Sequence, residues 1–257
     1  MNPFRSDAAT RCYAAGRLDV HPEMVRRIAW ALGETRPDRA LDIGCGTGLS
    51  AAPLHSVASR VVGIDASAPM LAEASRRTGI AWVRGRGEAL PFRAGAFGLV
   101  TMGCSFHWCE PGALLAELRR VLAPGGHLAV YDHHLAGQIE GELRFTAWFE
   151  AYRERFPTPP RHPVFKPSSA DGFTPVSSER FQHLVPLTRE DLARYVCSQS
   201  NVLAAVDEGR TTMEAAEAEM VDGLEPFFAG RSPVRVTYRG VLDLLRLKSG
   251  DSAADGS

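Results

Sequence analysis

Residues 41–48 read Leu-Asp-Ile-Gly-Cys-Gly-Thr-Gly, and residues 61–65 read Val-Val-Gly-Ile-Asp. Gly44, Gly46 and Gly48 crowd one short stretch, with the carboxylate of Asp42 just before it and that of Asp65 21 residues after Gly44. Glycine permits positive φ and leaves no Cβ between backbone and ligand, so such a stretch suits a tight turn with a small molecule against it. A carboxylate about 20 residues beyond the first glycine, at the end of a second strand, is placed to accept both hydroxyls of a ribose. Diphosphate-gripping loops of nicotinamide and flavin sites usually space their glycines G-x-G-x-x-G and set the anion on a helix N-terminus. Here the third glycine comes one residue early, and Asp42 would repel a diphosphate. It suits a ligand carrying a cation, such as an ammonium.

Further residues capable of chemistry follow. Met102-Gly103-Cys104-Ser105-Phe106-His107-Trp108-Cys109 ends a fourth apolar run. His107 is either a general base with a proton affinity suited to neutral pH or a packing residue on a pocket floor. Asp132-His133-His134 ends a fifth run, where His133 is a second candidate for base or substrate contact. No spacing of His, Cys, Asp and Glu forms a metal signature, so no metal is expected.

The elements that must position these groups alternate. Strands are predicted near 39–43, 60–64, 80–84, 97–102 and 126–131, and helices near 48–58, 68–77 and 111–122. A helix starting at His21-Pro22 and ending near Leu32 precedes them. Alternation of this kind implies a parallel sheet with helices on both faces and ligands at its carboxyl edge. After Asp132 the rhythm breaks. Residues 139–156 carry Phe145, Trp148, Phe149, Tyr152 and Phe156 near helical spacing, a stripe read as core rather than substrate cage. Residues 157–177 read as loop, 179–186 as strand, Thr188 as the N-cap of a helix, and 211–228 as another helix. Ser198-Gln199-Ser200-Asn201 either ends a helix or bonds a polar ligand. Val234–Tyr238 alternates like a strand, and Val241–Leu247 is read as its hairpin partner.

The segment from about Arg39 to Asp132 resembles the class I S-adenosylmethionine-dependent methyltransferases, in particular the small-molecule branch that includes trans-aconitate methyltransferase-like proteins. Residues 63–71 resemble that family's second motif, residues 85–92 its adenine-edge motif, and residues 120–130 its turn into the fifth strand. The resemblance implies S-adenosylmethionine as cofactor, methyl transfer to a small molecule as activity, and a Rossmann-like, doubly wound, mostly parallel seven-stranded α/β sheet with a helical cap from the C-terminal half. It implies cofactor contacts at Asp42, Gly44, Gly46, Asp65, Ala66, Met70, Gly87, Glu88 and Gly103. Asp65 would hold the ribose, Met70 would lie on the adenine face, and the Gly103 carbonyl would meet the ammonium. Tyr13-x-x-x-Arg17 resembles an element that folds over the cofactor carboxylate, which an arginine suits. One departure stands out: Arg86 occupies a position where many relatives carry an adenine-accepting Asp, and a cation cannot accept. Either Glu88 substitutes, or the backbone at Gly87 reads the adenine edge. Arg86 itself is read as a solvated surface charge. The alternative to methyl transfer is a protein of the same fold that holds the cofactor for structure or for another reaction.

Composition narrows the partners. The 257 residues carry a formal charge of −1, with 45% hydrophobic and 23% charged residues. That gives no field for nucleic acid or an anionic membrane, and the Asn-Pro-Pro-Tyr signature of base-flipping relatives is absent after the fourth strand. No apolar run is long enough for a membrane span. Cys12, Cys45, Cys104, Cys109 and Cys197 form no C-x-x-C pair, which suits a reduced cytoplasmic protein. The boundaries expected are a helical lead-in over 1–38, the cofactor-binding core over 39–134, and a cap with remaining core elements over 135–230. Terminal strand residues at 231–248 and a disordered tail at 249–257 complete them. The oligomeric state stays open.

Overall fold

A computed structural model describes residues 6–228 and 230–248. The expected tail at 249–257 lies outside the described residues. The elements in chain order are α1 (Asp7–Gly16), α2 (His21–Leu32), β1 (Arg39–Ile43), β2 (Arg60–Asp65), α3 (Ala68–Ala74), β3 (Ile80–Arg84), β4 (Phe97–Gly103), α4 (Pro111–Val121) and β5 (Leu122–Ile139). Then come α5 (Arg144–Arg155), β6 (Phe173–Leu187), α6 (Arg189–Cys197), α7 (Ser200–Asp207), α8 (Met213–Phe228) and β7 (Val234–Leu247). One sheet has the order β3-β2-β1-β4-β5-β7-β6, and the first five strands pair in parallel. β7 runs against β6: Lys248 bonds to Gly172 and Asp243 to Ser178, so one register falls as the other rises. The fold class is therefore the expected α/β, mostly parallel seven-stranded sheet.

The chain divides into two compact bodies. The first comprises Asp19–Asp132, Arg161–Arg180 and the residues from Val241 onward. Its core is aliphatic, with Leu41, Val100, Met102, Leu114, Leu118, Leu128 and Leu245 fully buried. The second comprises the residues up to Leu18, His133–Pro160 and Phe181–Gly240. Its core is aromatic: Phe145 lies 5.5 Å from Phe149 and 5.3 Å from Phe227, and Tyr152 lies 5.0 Å from Phe156. The stripe on α5 is thus core.

Three local expectations are corrected. Residues 48–58 do not form an α-helix; a short 3-10 helix spans Ala52–Ser56. Pro53 has no N–H to give to Leu49, so the α ladder that begins with Ala52 N–H to Gly48 O stops at once. The C-terminal hairpin is one strand, β7, because Gly240 passes through in ordinary extended backbone rather than turning with positive φ. The Ser198–Asn201 cluster opens a further helix, α7, instead of only ending one. By contrast, Thr188 caps α6 as expected, its hydroxyl accepting from the Asp191 amide at 3.1 Å.

Candidate functional site

The carboxyl ends of β1, β2 and β4 meet at the glycine loop. The amides of Gly44 and Cys45 both donate to the Ile64 carbonyl, at 2.8 and 3.1 Å, which ties the start of the loop to β2. Gly44 has φ +71°, and a Cβ there would lie 2.5 Å from the Ser105 Cβ. Ser105 in turn donates to the Ile43 carbonyl at 2.6 Å. The loops after β1 and β4 are therefore pressed together at a point only glycine permits. Gly46 is the opposite case. Its φ is +52°, but a Cβ would meet nothing within 4 Å, so its outer face is open.

Asp65 ends β2 and closes the loop. One carboxylate oxygen accepts the Gly46 amide at 2.8 Å and the other accepts the Ser67 amide at 2.8 Å. Burial raises its pKa, while the amides of Ser67, Gly46 and Ala66 pull it back. Ala66 thus contributes through its backbone. Ser67 caps α3 and sets Met70, which is buried at the first turn.

Asp42 departs from expectation. It is 0% exposed, with Ser50 donating to one oxygen at 2.5 Å and Thr101 to the other at 2.7 Å. Burial pushes its carboxyl up to about 6; the two hydroxyls oppose that, and nearby Asp65 adds to it. The spacing suggested direct contact with a ligand ammonium. Both carboxylate oxygens are instead taken by Ser50, just after the glycine loop, and by Thr101 on the neighbouring strand β4.

Along the other rim, a Cβ on Gly87 would lie 3.0 to 3.2 Å from Leu114, Cys109 and Ile43, so this backbone sits tightly on the core. Glu88 accepts the Glu110 amide at 3.0 Å and Arg86 Nε at 3.4 Å. Its burial works to raise the pKa and is outweighed by the amides of Glu110 and Glu88 and by Arg86, which hold it below the ordinary carboxylate range. Arg86 is 73% exposed along its side chain, as a solvated charge should be.

At the end of β4, a Cβ on Gly103 would lie 2.5 Å from the Tyr131 ring and hydroxyl. Cys104 follows with φ +52°, the one non-glycine residue in the left-handed region among the described residues, and its amide donates to the Tyr131 carbonyl at 2.8 Å. Such strain persists only where the surroundings over-determine it, and it gathers at functional sites. His107 lies in the short 3-10 turn Phe106–Trp108 and is buried, with Nδ1 3.7 Å from an Asp132 carboxylate oxygen.

Tyr13, Arg17 and His133 belong to the second body. The Arg17 guanidinium lies 4.6 Å from the Tyr13 ring and 5.7 Å from the Tyr195 ring. His133 is buried on β5. The geometry above is built without these three.

Sequence reasoning missed Ser50, Thr101 and Asp132. Thr101 carried a faint signal, being the one polar residue in Leu99-Val100-Thr101-Met102, and the register puts it directly beside Asp42. Ser50 carried none.

Known proteins resemble this chain in sequence and in fold. Residues 41–130 match a family described as a methyltransferase domain. A malonyl-[acyl-carrier protein] O-methyltransferase of Pseudescherichia vulneris is 35% identical over 131 residues, 49% of this chain and 52% of that protein. A demethylmenaquinone methyltransferase of Beutenbergia cavernae is 37% identical over 131 residues, 50% of this chain and 53% of that protein. The chain thus spans about half the length of these curated relatives. Among solved structures, a putative type II methyltransferase from Anaeromyxobacter dehalogenans superposes with a TM-score of 0.67 at 20% identity, covering 89% of this chain and 97% of that one, a likeness of fold. The matched stretch, residues 41–130, takes in the glycine loop, Asp65 and Glu88, and the family it matches is described as a methyltransferase domain.

Proposed function

We propose that this chain is a methyltransferase that moves a methyl group from S-adenosylmethionine to a small-molecule acceptor. The observation that carries the reading is Asp65, which ends β2 and accepts the amide of Gly46, a glycine whose outer face is open. The residues fit the cofactor. Asp65 would take the ribose hydroxyls, exchanging the Gly46 amide for them or sharing it. Met70 would flank the adenine, and Gly87 with Glu88 would meet its edge. Gly44 and Gly103 would line the amino-acid end, above the buried charge of Asp42.

Bound there, the cofactor supplies an electrophilic methyl on a sulfonium. The protein's part is alignment and dryness, because holding the reactants in line removes most of the entropic barrier. His107, buried near the carboxyl edge, would receive the acceptor's proton. The relatives are named for malonyl-[acyl-carrier protein] and for demethylmenaquinone, which supports a metabolite acceptor rather than a nucleic acid. No disulfide joins the five cysteines, which supports the reducing cytoplasm as its place of work.

Calorimetric titration with S-adenosylhomocysteine tests the reading. The wild-type chain should bind, and D65A should bind at least tenfold more weakly. Absence of heat at millimolar ligand, or equal affinity in D65A, rejects it.

A further inference from the structure

We propose that Asp132 is a positioning residue for His107. It holds the neutral imidazole as the Nδ1–H tautomer and leaves the lone pair on Nε2 to accept a proton from the methyl acceptor. The proposal rests on the methyltransferase reading of the site.

The chain fixes the His107 backbone tightly. Its carbonyl accepts the His162 amide at 3.0 Å. On one side Phe106 packs edge-on against Phe165, ring centroids 4.9 Å apart. On the other, Trp108 lies 5.0 Å from the His107 ring and carries the Arg161 guanidinium 4.8 Å from its own centroid. The turn follows the left-handed Cys104, which sets its direction. With the backbone held this way, what is left to decide is the orientation of the imidazole and the nitrogen that carries its proton.

Asp132 is placed to act on both. Gly103 on β4 pairs with Tyr131 on β5, so Asp132 stands one residue past the last paired position, at the edge where open α/β sheets bind ligands. Its oxygen lies 3.7 Å from His107 Nδ1, and its side chain is 41% exposed. That distance is too long for a hydrogen bond as it stands. It is the loose spacing that catalytic pairs show before substrate binds, and a small movement of either group closes it. Arg161, His162 and Glu110 also stand near the turn: Arg161 lies over Trp108, the His162 amide bonds the His107 carbonyl, and Glu110 faces His162. A carboxylate facing Nδ1 favours the tautomer with its proton there, and it stabilises the imidazolium once Nε2 is protonated.

The transfer balances with this pair. The acceptor X–H gives its proton to Nε2, and its electron pair forms the X–CH3 bond. The methyl–sulfur bond breaks with its pair retained on sulfur. The proton rests on an imidazolium beside Asp132 and then passes to water.

The test is long-range 1H–15N correlation spectroscopy of the uniformly labelled full chain, bound to S-adenosylhomocysteine, at a pH where His107 is neutral. The H107Q variant assigns the resonances by their loss. The wild type should show Nδ1 protonated and Nε2 bare. D132N should lose that pattern and move toward Nε2–H, and D132E should restore it. D132S is the second variant should D132N lose its thermal transition. A wild type with Nε2 protonated, or a pattern unchanged in D132N and D132S, overturns the proposal. A wild type that fails to bind S-adenosylhomocysteine strikes the methyltransferase reading instead, and the tautomer measured without ligand still decides the role of Asp132.

Discussion

The buried carboxylate of Asp42 should cost this fold stability by an amount that grows from mild acid to neutral pH, and Asp42→Asn should remove that cost. Asp42 is 0% exposed, and burial lifts its pKa from 3.8 to about 6 in the folded chain. Below about pH 4 the carboxyl holds its proton in both folded and unfolded chains. Between there and about 6 the folded chain keeps a proton that the unfolded chain has released. Stability contributed by this group therefore falls as pH rises through that window, and the full penalty stands above it. At about 1.4 kcal/mol for each tenfold change in proton affinity, the penalty is roughly 3 kcal/mol. Asparagine is neutral and can keep both partners, since the hydroxyls of Ser50 and Thr101 each donate or accept. D42N should thus be more stable than wild type by about 3 kcal/mol at pH 8. In a thermal scan that is roughly 6–12 °C for a chain near this size. The gap should shrink toward zero at about pH 4. Urea unfolding of both chains at pH 5 and pH 8 measures it, and other titrating groups cancel in the comparison. A D42N chain no more stable than wild type at pH 8, or a gap that does not narrow in acid, refutes the reasoning. The same variant should bind S-adenosylmethionine more weakly at pH 8, since the anion is retained at a cost in stability where a cationic ligand is proposed.

Two glycines of one loop should behave differently. Gly44→Ala forces a Cβ to 2.5 Å from Ser105 in a left-handed residue, and should cost about 2–4 kcal/mol in denaturant unfolding. Gly46→Ala meets nothing and should cost only about 1–2 kcal/mol, the strain of its positive φ, yet weaken S-adenosylhomocysteine at least tenfold by filling the open face; unimpaired binding contradicts the placement of the ligand. Tyr131→Phe removes the 2.7 Å contact between the Tyr131 hydroxyl and His21 Nδ1, both buried, and should cost about 1–3 kcal/mol in the same assay. Phe145→Ala, in the aromatic core of the second body, should cost about 3–5 kcal/mol, and a loss under 1 kcal/mol would show that core to be loosely packed.

Much of the first body was legible because its signals are local. β1 and β3 fall where the apolar runs begin and end, and His21-Pro22 and Leu32 bound α2 as read. The glycine loop announced itself because positive φ at Gly44, Gly46 and Gly48 leaves few other residue choices. The 3-10 helix after it was misread because the Ala- and Leu-rich composition argued for α-helix while a single Pro53 broke the ladder. β7 was split because Gly240 has the composition of a turn, and the place of β7 between β5 and β6 in the sheet keeps it extended. The enclosure of Asp42 was hidden for a different reason. Its two hydroxyl partners stand 8 and 59 residues away, and the Thr101 contact exists only once β1 lies beside β4. Asp132 beside His107 is likewise a product of the β4–β5 register.

The central claim is that Asp65, bonded to the amide of the open-faced Gly46, receives the sugar of an adenosyl cofactor. A crystal structure of the full chain with S-adenosylhomocysteine measures this directly. The account predicts both ribose hydroxyls within about 2.5–3.2 Å of the Asp65 carboxylate, with the amino-acid tail running past Gly44. A ligand whose ribose lies elsewhere, with Asp65 still bonded only to the Gly46 and Ser67 amides, contradicts it.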